Sequence, residues 1–223
     1  MWAILGCGVA GGLIGQWLRR STARLRYRHR PAPAAPDVTP DATPDDIDEQ
    51  ALPLPGARWW MPLAGALAWA GVAWRAETDW RAYLLWLPFV TIGLYLAAVD
   101  LDVCRLPDRA QLGLAAAGLL AGLAATWTEP RRWLYALGWT LGVAGLFWLI
   151  HLVGRGALGF GDVKLAATCG WLLGLSGLSA VWAGLGLSCL LALAYALVRR
   201  SKSVAFGPWL ILGSLVAGLW LGV

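Results

Sequence analysis

The chain is a succession of long apolar segments separated by short polar ones. Seven of these segments approach the roughly 20 residues that an α-helix needs to cross about 30 Å of hydrocarbon. They are Trp2–Leu18, Trp59–Trp74, Ala82–Val99, Ala110–Trp127, Trp133–Val153, Leu178–Val198 and Ala205–Val223. An eighth, Val163–Leu175, is shorter and is either a span tucked behind its neighbours or a half-helix. The pattern predicts an all-α, polytopic transmembrane helix bundle with seven to eight spans.

Composition supports a membrane protein and argues against nucleic acid as a partner. Hydrophobic residues occupy 59% of the 223 positions and charged residues 14%, whereas about a quarter of the residues in a soluble domain are charged. The net charge is +5, but the basic residues lie between apolar segments rather than on one face of a folded domain. Membrane lipids are the expected surroundings, and several of the 16 Trp flank apolar segments, as residues at the headgroup level do.

The first 58 residues differ from the rest of the chain. No Lys or Arg precedes the apolar segment that ends at Leu18, and six Arg follow it, which favours a retained transmembrane anchor over residues 1–18 rather than a cleaved signal peptide. Residues 19–58 are basic at first and then rich in Pro and Asp, with few large apolar side chains. We expect a disordered linker there and a membrane-embedded domain over residues 59–223.

Charge asymmetry predicts the orientation of the bundle. With eight spans, 14 of the 18 Lys and Arg fall on the same side of the membrane as residues 19–58. The other four are Arg75, Arg81, Arg131 and Arg132. Because positive residues are enriched in cytoplasmic loops, we expect the linker in the cytoplasm and the N-terminus on the outer side of the inner membrane.

Two aspartates at the ends of apolar segments fall on this cytoplasmic side. Asp100 follows the run Leu84–Val99, and Asp162 comes 62 positions later, after two glycines, Gly159 and Gly161. A charged group inside a bilayer can cost about 3 kcal/mol, so each aspartate is a candidate functional residue. The glycines permit unusual backbone angles and a close approach of another chain. Taken alone, Asp162 is equally well explained as the N-cap of a helix. Because both carboxyl groups lie on one side, we predict that they meet.

A close pair of aspartates has a defined chemistry. One carboxyl group holds a proton while the other polarises water, as in aspartic proteases. Lys164 is expected either among lipid headgroups or beside Asp162 as a stabilising cation. Asp108 either caps the helix that starts near Ala110 or joins the site. The four Cys contain no C-x-x-C pair, so neither a metal site nor a disulfide framework is predicted.

The order of the motifs resembles a known family. Asp100 is followed by Leu106-Pro107-Asp108, by the run Gly-Phe-Gly-Asp-Val-Lys-Leu that starts at Gly159, and by Phe206-Gly207-Pro208-Trp209-Leu210. Over roughly residues 84–223 this combination is similar to the type IV prepilin peptidases, which are membrane aspartyl proteases with a GxGD motif. The resemblance implies that Asp100 and Asp162 are the catalytic aspartates. It also implies a prepilin-like substrate, whose leader is cleaved after a glycine at the cytoplasmic membrane face.

Two departures from the family are evident. Ala157 stands where a glycine often precedes the GxGD motif. Many bacterial members also carry a cytoplasmic four-cysteine domain between the first two spans, and N-methylate the new amino terminus with S-adenosylmethionine. The linker at that position has no Cys. We therefore expect an endopeptidase that needs no zinc or other cofactor, and we do not predict methyl transfer.

Two other classes of function fit the same residues. In a transporter or channel, Asp100 and Asp162 would form an ion or proton relay, because intramembrane acids mark such pathways too. The sequence has no evident inverted repeat, which disfavours a transporter. An assembly protein with a decayed site is the third class, and the intact aspartates argue against it. The sequence thus favours the aspartic endopeptidase.

Overall fold

A computed structural model describes residues 1–23, 58–154, 158–199 and 205–221. Within these ranges it contains eight α-helices and no strand. The helices are α1 (Trp2–Ala23), α2 (Trp60–Ala76), α3 (Trp80–Val103), α4 (Asp108–Ala125), α5 (Pro130–Val153), α6 (Phe160–Ser176), α7 (Leu178–Arg199) and α8 (Gly207–Leu221). Three of them, α3, α5 and α7, are long and apolar enough to cross a membrane. The predicted all-α membrane bundle is confirmed.

The first helix continues past the apolar segment that predicted it. Whereas the apolar run ends at Leu18, α1 extends to Ala23 and includes Arg19 and Arg20. It packs against α2 and α3, with Leu18 in a buried cluster beside Met61 and Leu94. Most of the segment predicted to be a linker, residues 24–57, lies outside the described residues.

Helix α3 reaches further than its apolar run because polar groups define both of its ends. At the start, the Asp79 side chain accepts a hydrogen bond from the Arg81 N–H at 2.9 Å, as an N-cap does. At the end, Cys104 adopts a left-handed conformation (φ 50°), and its N–H donates to the Asp100 carbonyl at 2.9 Å. Asp100 therefore belongs to the last turn of the helix rather than to the loop that follows it.

The short apolar segment of the sequence forms α6, the most enclosed helix of the bundle. It packs against α4, α5, α7 and α8, and most of its residues between Val163 and Leu175 are buried. A helix that is apolar on all sides is stable only when neighbours surround it. Of the two alternatives that the sequence offers for this segment, a position behind neighbouring helices agrees with the packing. The first turn of α6 carries Asp162.

Glycines allow several helices to approach at backbone distance, as is common between membrane helices. Gly11 of α1 and Gly65 of α2 are so close that a Cβ on either would overlap the carbonyl oxygen of the other. A Cβ on Gly93 would lie 2.9 Å from Ile211 Cγ2, and one on Gly218 would overlap the ring of Trp86. Trp86 is 1% exposed, so its ring has little room to move. These contacts hold α1 against α2, and α3 against α8.

We predict that Gly218→Ala destabilises the bundle while Gly142→Ala does not. A methyl group at position 218 would overlap Trp86, and overpacking of this kind costs about 1–3 kcal/mol. A Cβ on Gly142 of α5 meets nothing within 4 Å. Unfolding of the purified variants in detergent, followed by tryptophan fluorescence during heating, measures the difference. Equal midpoints for the two variants would contradict the described contact between α3 and α8.

Candidate active site

Asp100 is buried and is held by the amino-terminal end of α8. Its side chain is 4% exposed, and Oδ2 accepts a hydrogen bond from the Gly207 N–H at 3.0 Å. The first N–H groups of a helix have no partner within the helix, and they attract carboxylates. A Cβ on Gly207 would lie 2.8 Å from Asp100 Oδ2, so the absence of a side chain permits this contact. The hydrogen bond fixes Asp100 in one orientation at the junction of α3 and α8.

Asp162 lies in the first turn of α6, three residues after the N-cap. Gly159 occupies the N-cap position in an extended conformation, and its carbonyl accepts from the Asp162 N–H at 3.0 Å. The backbone N–H of Gly159 in turn interacts with the Asp162 side chain, as in a capping box. Asp162 Oδ1 is buried and has no hydrogen-bond partner among the residues that the structure describes. Helix capping therefore accounts for part of the Asp162 carboxyl group, which retains Oδ1 as a buried acceptor.

The structure brings the two aspartates to the same end of the bundle. The negative charge of Asp100 acts on the Asp162 carboxyl group. Both charges also act on Cys104: partial desolvation and the carboxylates of Asp100 and Asp162 raise the pKa of its thiol. Leu106 joins the two sites physically. A Cβ built on Gly161 would lie 3.1 Å from Leu106 Cβ, and one on Gly207 would lie 3.4 Å from Leu106 Cδ2.

Lys164 and Asp108 pair with each other beside this site. Lys164 Nζ lies 2.6 Å from Asp108 Oδ1 and 5.2 Å from the centre of the Phe160 ring. The sequence predicts Lys164 either among lipid headgroups or beside Asp162. In the structure, its described ion-pair partner is Asp108. Pro107 takes the N-cap position of α4 and makes no side-chain capping bond, so Asp108 begins the helix without capping it. The ion pair ties the first turn of α4 to that of α6.

Aromatic and polar contacts position the loop before α6. His151 Nδ1 lies 2.6 Å from the Leu158 carbonyl oxygen, and its ring centre lies 5.9 Å from that of Phe160. Phe147 and Phe206 pack with ring centres 5.8 Å apart. These contacts connect the end of α5 to the GxGD turn and to the residue before α8. Ala157, one of the departures from the family pattern, lies outside the described residues.

Sequence reasoning missed Gln111 and gave no role to Leu106, which it quoted only as part of a motif. Leu106 lies between Gly161 and Gly207, and Gln111 Nε2 would be 3.1 Å from a Cβ on Gly161. Gln111 is 5% exposed. Its signal was present in the sequence, since it is a lone amide within an otherwise apolar segment. The packing role of Leu106 depends on helices that are distant in sequence and could not be predicted from the motif.

Cavity size alone does not identify the site. A cavity of about 740 Å³ lies at the other end of the bundle, where Asp79, Arg81 and Arg132 line it. A smaller cavity of about 420 Å³ opens between α4 and α6 beside Asp108 and Lys164. The carboxyl pair, rather than the larger volume, marks the candidate active site.

Fold and site together define a polytopic membrane protein with a pair of carboxyl groups at one end of its helix bundle. Residues 87–223 match the model of the type IV leader peptidase family, and the chain belongs to that family. The matched region contains both aspartates, the GxGD turn and Gly207. The family resemblance in the sequence is thus confirmed, and the membrane-peptidase class follows from it.

Several curated relatives are named prepilin leader peptidase/N-methyltransferase. A prepilin leader peptidase/N-methyltransferase from Pectobacterium carotovorum subsp. carotovorum is 33% identical over 149 residues, which cover 60% of this chain and 53% of the relative. Its counterpart in Aeromonas hydrophila is 31% identical over 170 residues, covering 72% and 57%. The one in Dickeya chrysanthemi is 36% identical over 160 residues, covering 64% and 55%. The chain spans about half the length of these relatives, and no solved structure matches it.

We predict that neutralising either aspartate makes Cys104 more reactive. Because negative charge raises the pKa of this thiol, Asp100→Asn and Asp162→Asn should each lower that pKa and increase the thiolate fraction at pH 8. Alkylation by iodoacetamide should become about two- to tenfold faster. The rate is measured by mass spectrometry in a background with Cys7→Ala and Cys189→Ala.

Asp79→Asn is the matched control for this experiment. Asp79 caps α3 at the opposite end of the same helix, so its neutralisation should leave the rate at Cys104 unchanged. A variant of Asp162 with an unchanged Cys104 rate would show that this carboxyl group lies too far from the end of α3 to form a pair with Asp100.

Proposed function

We propose that this protein is a membrane aspartic endopeptidase that removes the basic leader of prepilin-like proteins. Cleavage follows a glycine and precedes the apolar segment of the substrate. One observation carries the proposal: Asp100, held by the Gly207 N–H, shares one end of the bundle with Asp162, whose Oδ1 is buried without a described partner. Membership of the type IV leader peptidase family and the names of the curated relatives support the substrate class.

The proposed mechanism uses one water molecule and one shared proton. Two adjacent carboxyl groups rarely ionise together, so one is a base and the other an acid. The base takes a proton from water while the water oxygen attacks the scissile carbonyl carbon. The acid donates a hydrogen bond to the carbonyl oxygen at the same time. The resulting tetrahedral intermediate then breaks its C–N bond, and the leaving nitrogen takes up the proton that the base received from water, which restores the pair. Asp100 and Asp162 are the proposed catalytic residues.

Supporting roles follow from the described contacts. Gly159 starts α6 and leaves room beside Asp162, since a Cβ there would lie 3.3 Å from Asp162 Oδ2. Gly161 allows Leu106 and its neighbours to approach the first turn of α6. The Lys164–Asp108 ion pair connects α4 to α6 beside the catalytic pair. These residues position the site and need not contact the reacting atoms.

The site is proposed to face the cytoplasm at the inner membrane. The helix ends that carry it belong to the side on which the positive-inside rule collects most of the Lys and Arg. Anionic lipids at that surface attract basic segments, which favours the approach of a basic leader. We propose residues 59–223 as the peptidase domain, α1, which continues to Ala23, as an anchor, and the residues between α1 and α2 as a cytoplasmic linker. The proposal covers peptide cleavage and does not include methyl transfer.

We predict that Asp100→Asn and Asp162→Asn each lower the cleavage rate at least about a thousandfold, since catalytic groups that act as a unit fail together. The substrate is a synthetic peptide with a basic leader, a glycine and an apolar segment, presented to the purified protein in detergent micelles. Mass spectrometry of the products gives both the rate and the cleaved bond. Asp79→Asn, which retains the capping oxygen of α3, should cleave at the wild-type rate.

Each result of this experiment decides a separate question. Cleavage by both catalytic variants at the wild-type rate would remove the aspartate pair from the mechanism. Cleavage at a bond other than the one after glycine would overturn the proposed specificity. If the wild-type protein left this peptide intact but cleaved another membrane peptide, the catalytic proposal would stand and the substrate class would fall.

A further inference from the structure

A groove opens between α4 and α6 near the first turn of α6, which carries Asp162. It has a volume of about 420 Å³, and its lining includes Gln111, Leu112 and Ala115 of α4 and Lys164 and Thr168 of α6. We call this feature the α4–α6 groove. Further along the same two helices, Trp171 Nε1 donates to the Gly118 carbonyl oxygen at 3.0 Å and holds them together. At its outer end, the Lys164–Asp108 ion pair spans it.

The groove contains a buried polar group with unused hydrogen-bonding capacity. Gln111 is 5% exposed, and its Nε2 donates a long hydrogen bond of 3.4 Å to the Leu106 carbonyl oxygen. Its Oε1 is buried without a hydrogen-bond partner in the described part of the chain. Since a carbonyl can only accept, the nitrogen must face Leu106 and the oxygen must face elsewhere. Burying an unpaired acceptor is costly, so a donor that enters the groove would stabilise this amide.

The position of Gln111 relates it to the catalytic pair. A Cβ on Gly161, the residue before Asp162, would lie 3.1 Å from Gln111 Nε2. Lys164, at the outer end of the groove, is two residues beyond Asp162. The Gln111 end of the groove therefore lies beside the first turn of α6, which carries Asp162.

The walls of the groove indicate which part of a substrate it holds. Below the charged outer end, α4 presents Leu112, which is 71% exposed, and the small side chain of Ala115. An apolar segment complements these walls, whereas a basic leader does not. The first residues of an apolar segment, extended for cleavage, still carry backbone N–H groups, and such groups are donors that need an acceptor away from water.

We propose that the α4–α6 groove binds the substrate residues that directly follow the scissile bond, and that Gln111 Oε1 accepts a backbone N–H from them. This inference rests on the proposed function and adds a substrate-binding residue to it. The ion pair at the outer end is exposed, with 41% and 74% of the Lys164 and Asp108 side chains accessible. Exposed pairs of this kind contribute little stability, so an entering chain can part them readily.

A double-mutant cycle between enzyme and substrate tests the hydrogen bond. Gln111→Leu or Gln111→Met removes the acceptor, and a peptide with an ester oxygen in place of the backbone N–H, at the second or third residue after the glycine, removes the donor. Each change alone should lower kcat/KM about three- to tenfold, mainly through KM. At one of the two substrate positions, the two changes together should lower it no further than either one does.

A purely structural Gln111 gives a different result. If the amide only held Leu106, the losses from variant and ester would multiply at both positions, and this outcome would overturn the proposal. Cleavage of the unmodified peptide by the wild type reports on the proposed function in the same assay. If the two losses multiply while the wild type still cleaves the unmodified peptide, the proposed role of Gln111 fails and the proposed function stands.

Photo-crosslinking tests the groove even where cleavage is absent or a Gln111 variant is unstable. A photoreactive residue at Leu112, in an Asp162→Asn background, should crosslink to the apolar segment of the bound peptide. The same residue at Leu120, which is 67% exposed on α4 and does not line the groove, is the control and should not. Equal crosslinking at the two positions, or none at Leu112, would overturn the groove as the binding site.

Discussion

The hydrogen bond from the Gly207 N–H to Asp100 Oδ2 is the contact on which the proposed site depends. It joins residues 107 positions apart, so it exists only when α3 and α8 lie side by side. Gly93 against Ile211 and Gly218 against Trp86 bring those helices to backbone distance. The small residues along the interface therefore set the position of a carboxyl group at its end. Helix packing and the proposed chemistry are coupled through one backbone amide.

Around that contact, two further helix ends, the starts of α4 and α6, converge. The short loop after Cys104 brings Leu106 between Gly161 and Gly207, and the Lys164–Asp108 pair connects α4 to α6. The enclosed α6 thus positions Asp162, while α8, which packs beside α3, positions Asp100. The free N–H groups at helix termini can donate hydrogen bonds to a polar site at the end of a helix bundle. In a membrane such bonds also satisfy backbone groups that would otherwise be unpaired at a high cost in free energy.

Much of the fold was predictable because few kinds of backbone structure can cross a bilayer. An apolar run of sufficient length implies a helix, and alternation of the spans placed both aspartates on one side before any contact was known. The details that escaped prediction depend on partners distant in sequence. Nothing local indicates that Lys164 pairs with Asp108, because the pairing requires α4 and α6 to approach. Gly207 contributes a backbone donor, which leaves no trace in a side-chain pattern, and the start of α6 at Phe160 follows from the extended conformation of Gly159.

The length of α6 has a consequence for its place in the membrane. Its 17 residues extend about 25 Å, several Å less than a hydrocarbon layer of about 30 Å. Both ends of α6 therefore cannot reach the boundaries of an undeformed bilayer. Because α4, α5, α7 and α8 surround this helix, protein rather than lipid covers the shortfall, and the short helix requires no thinning of the bilayer around it.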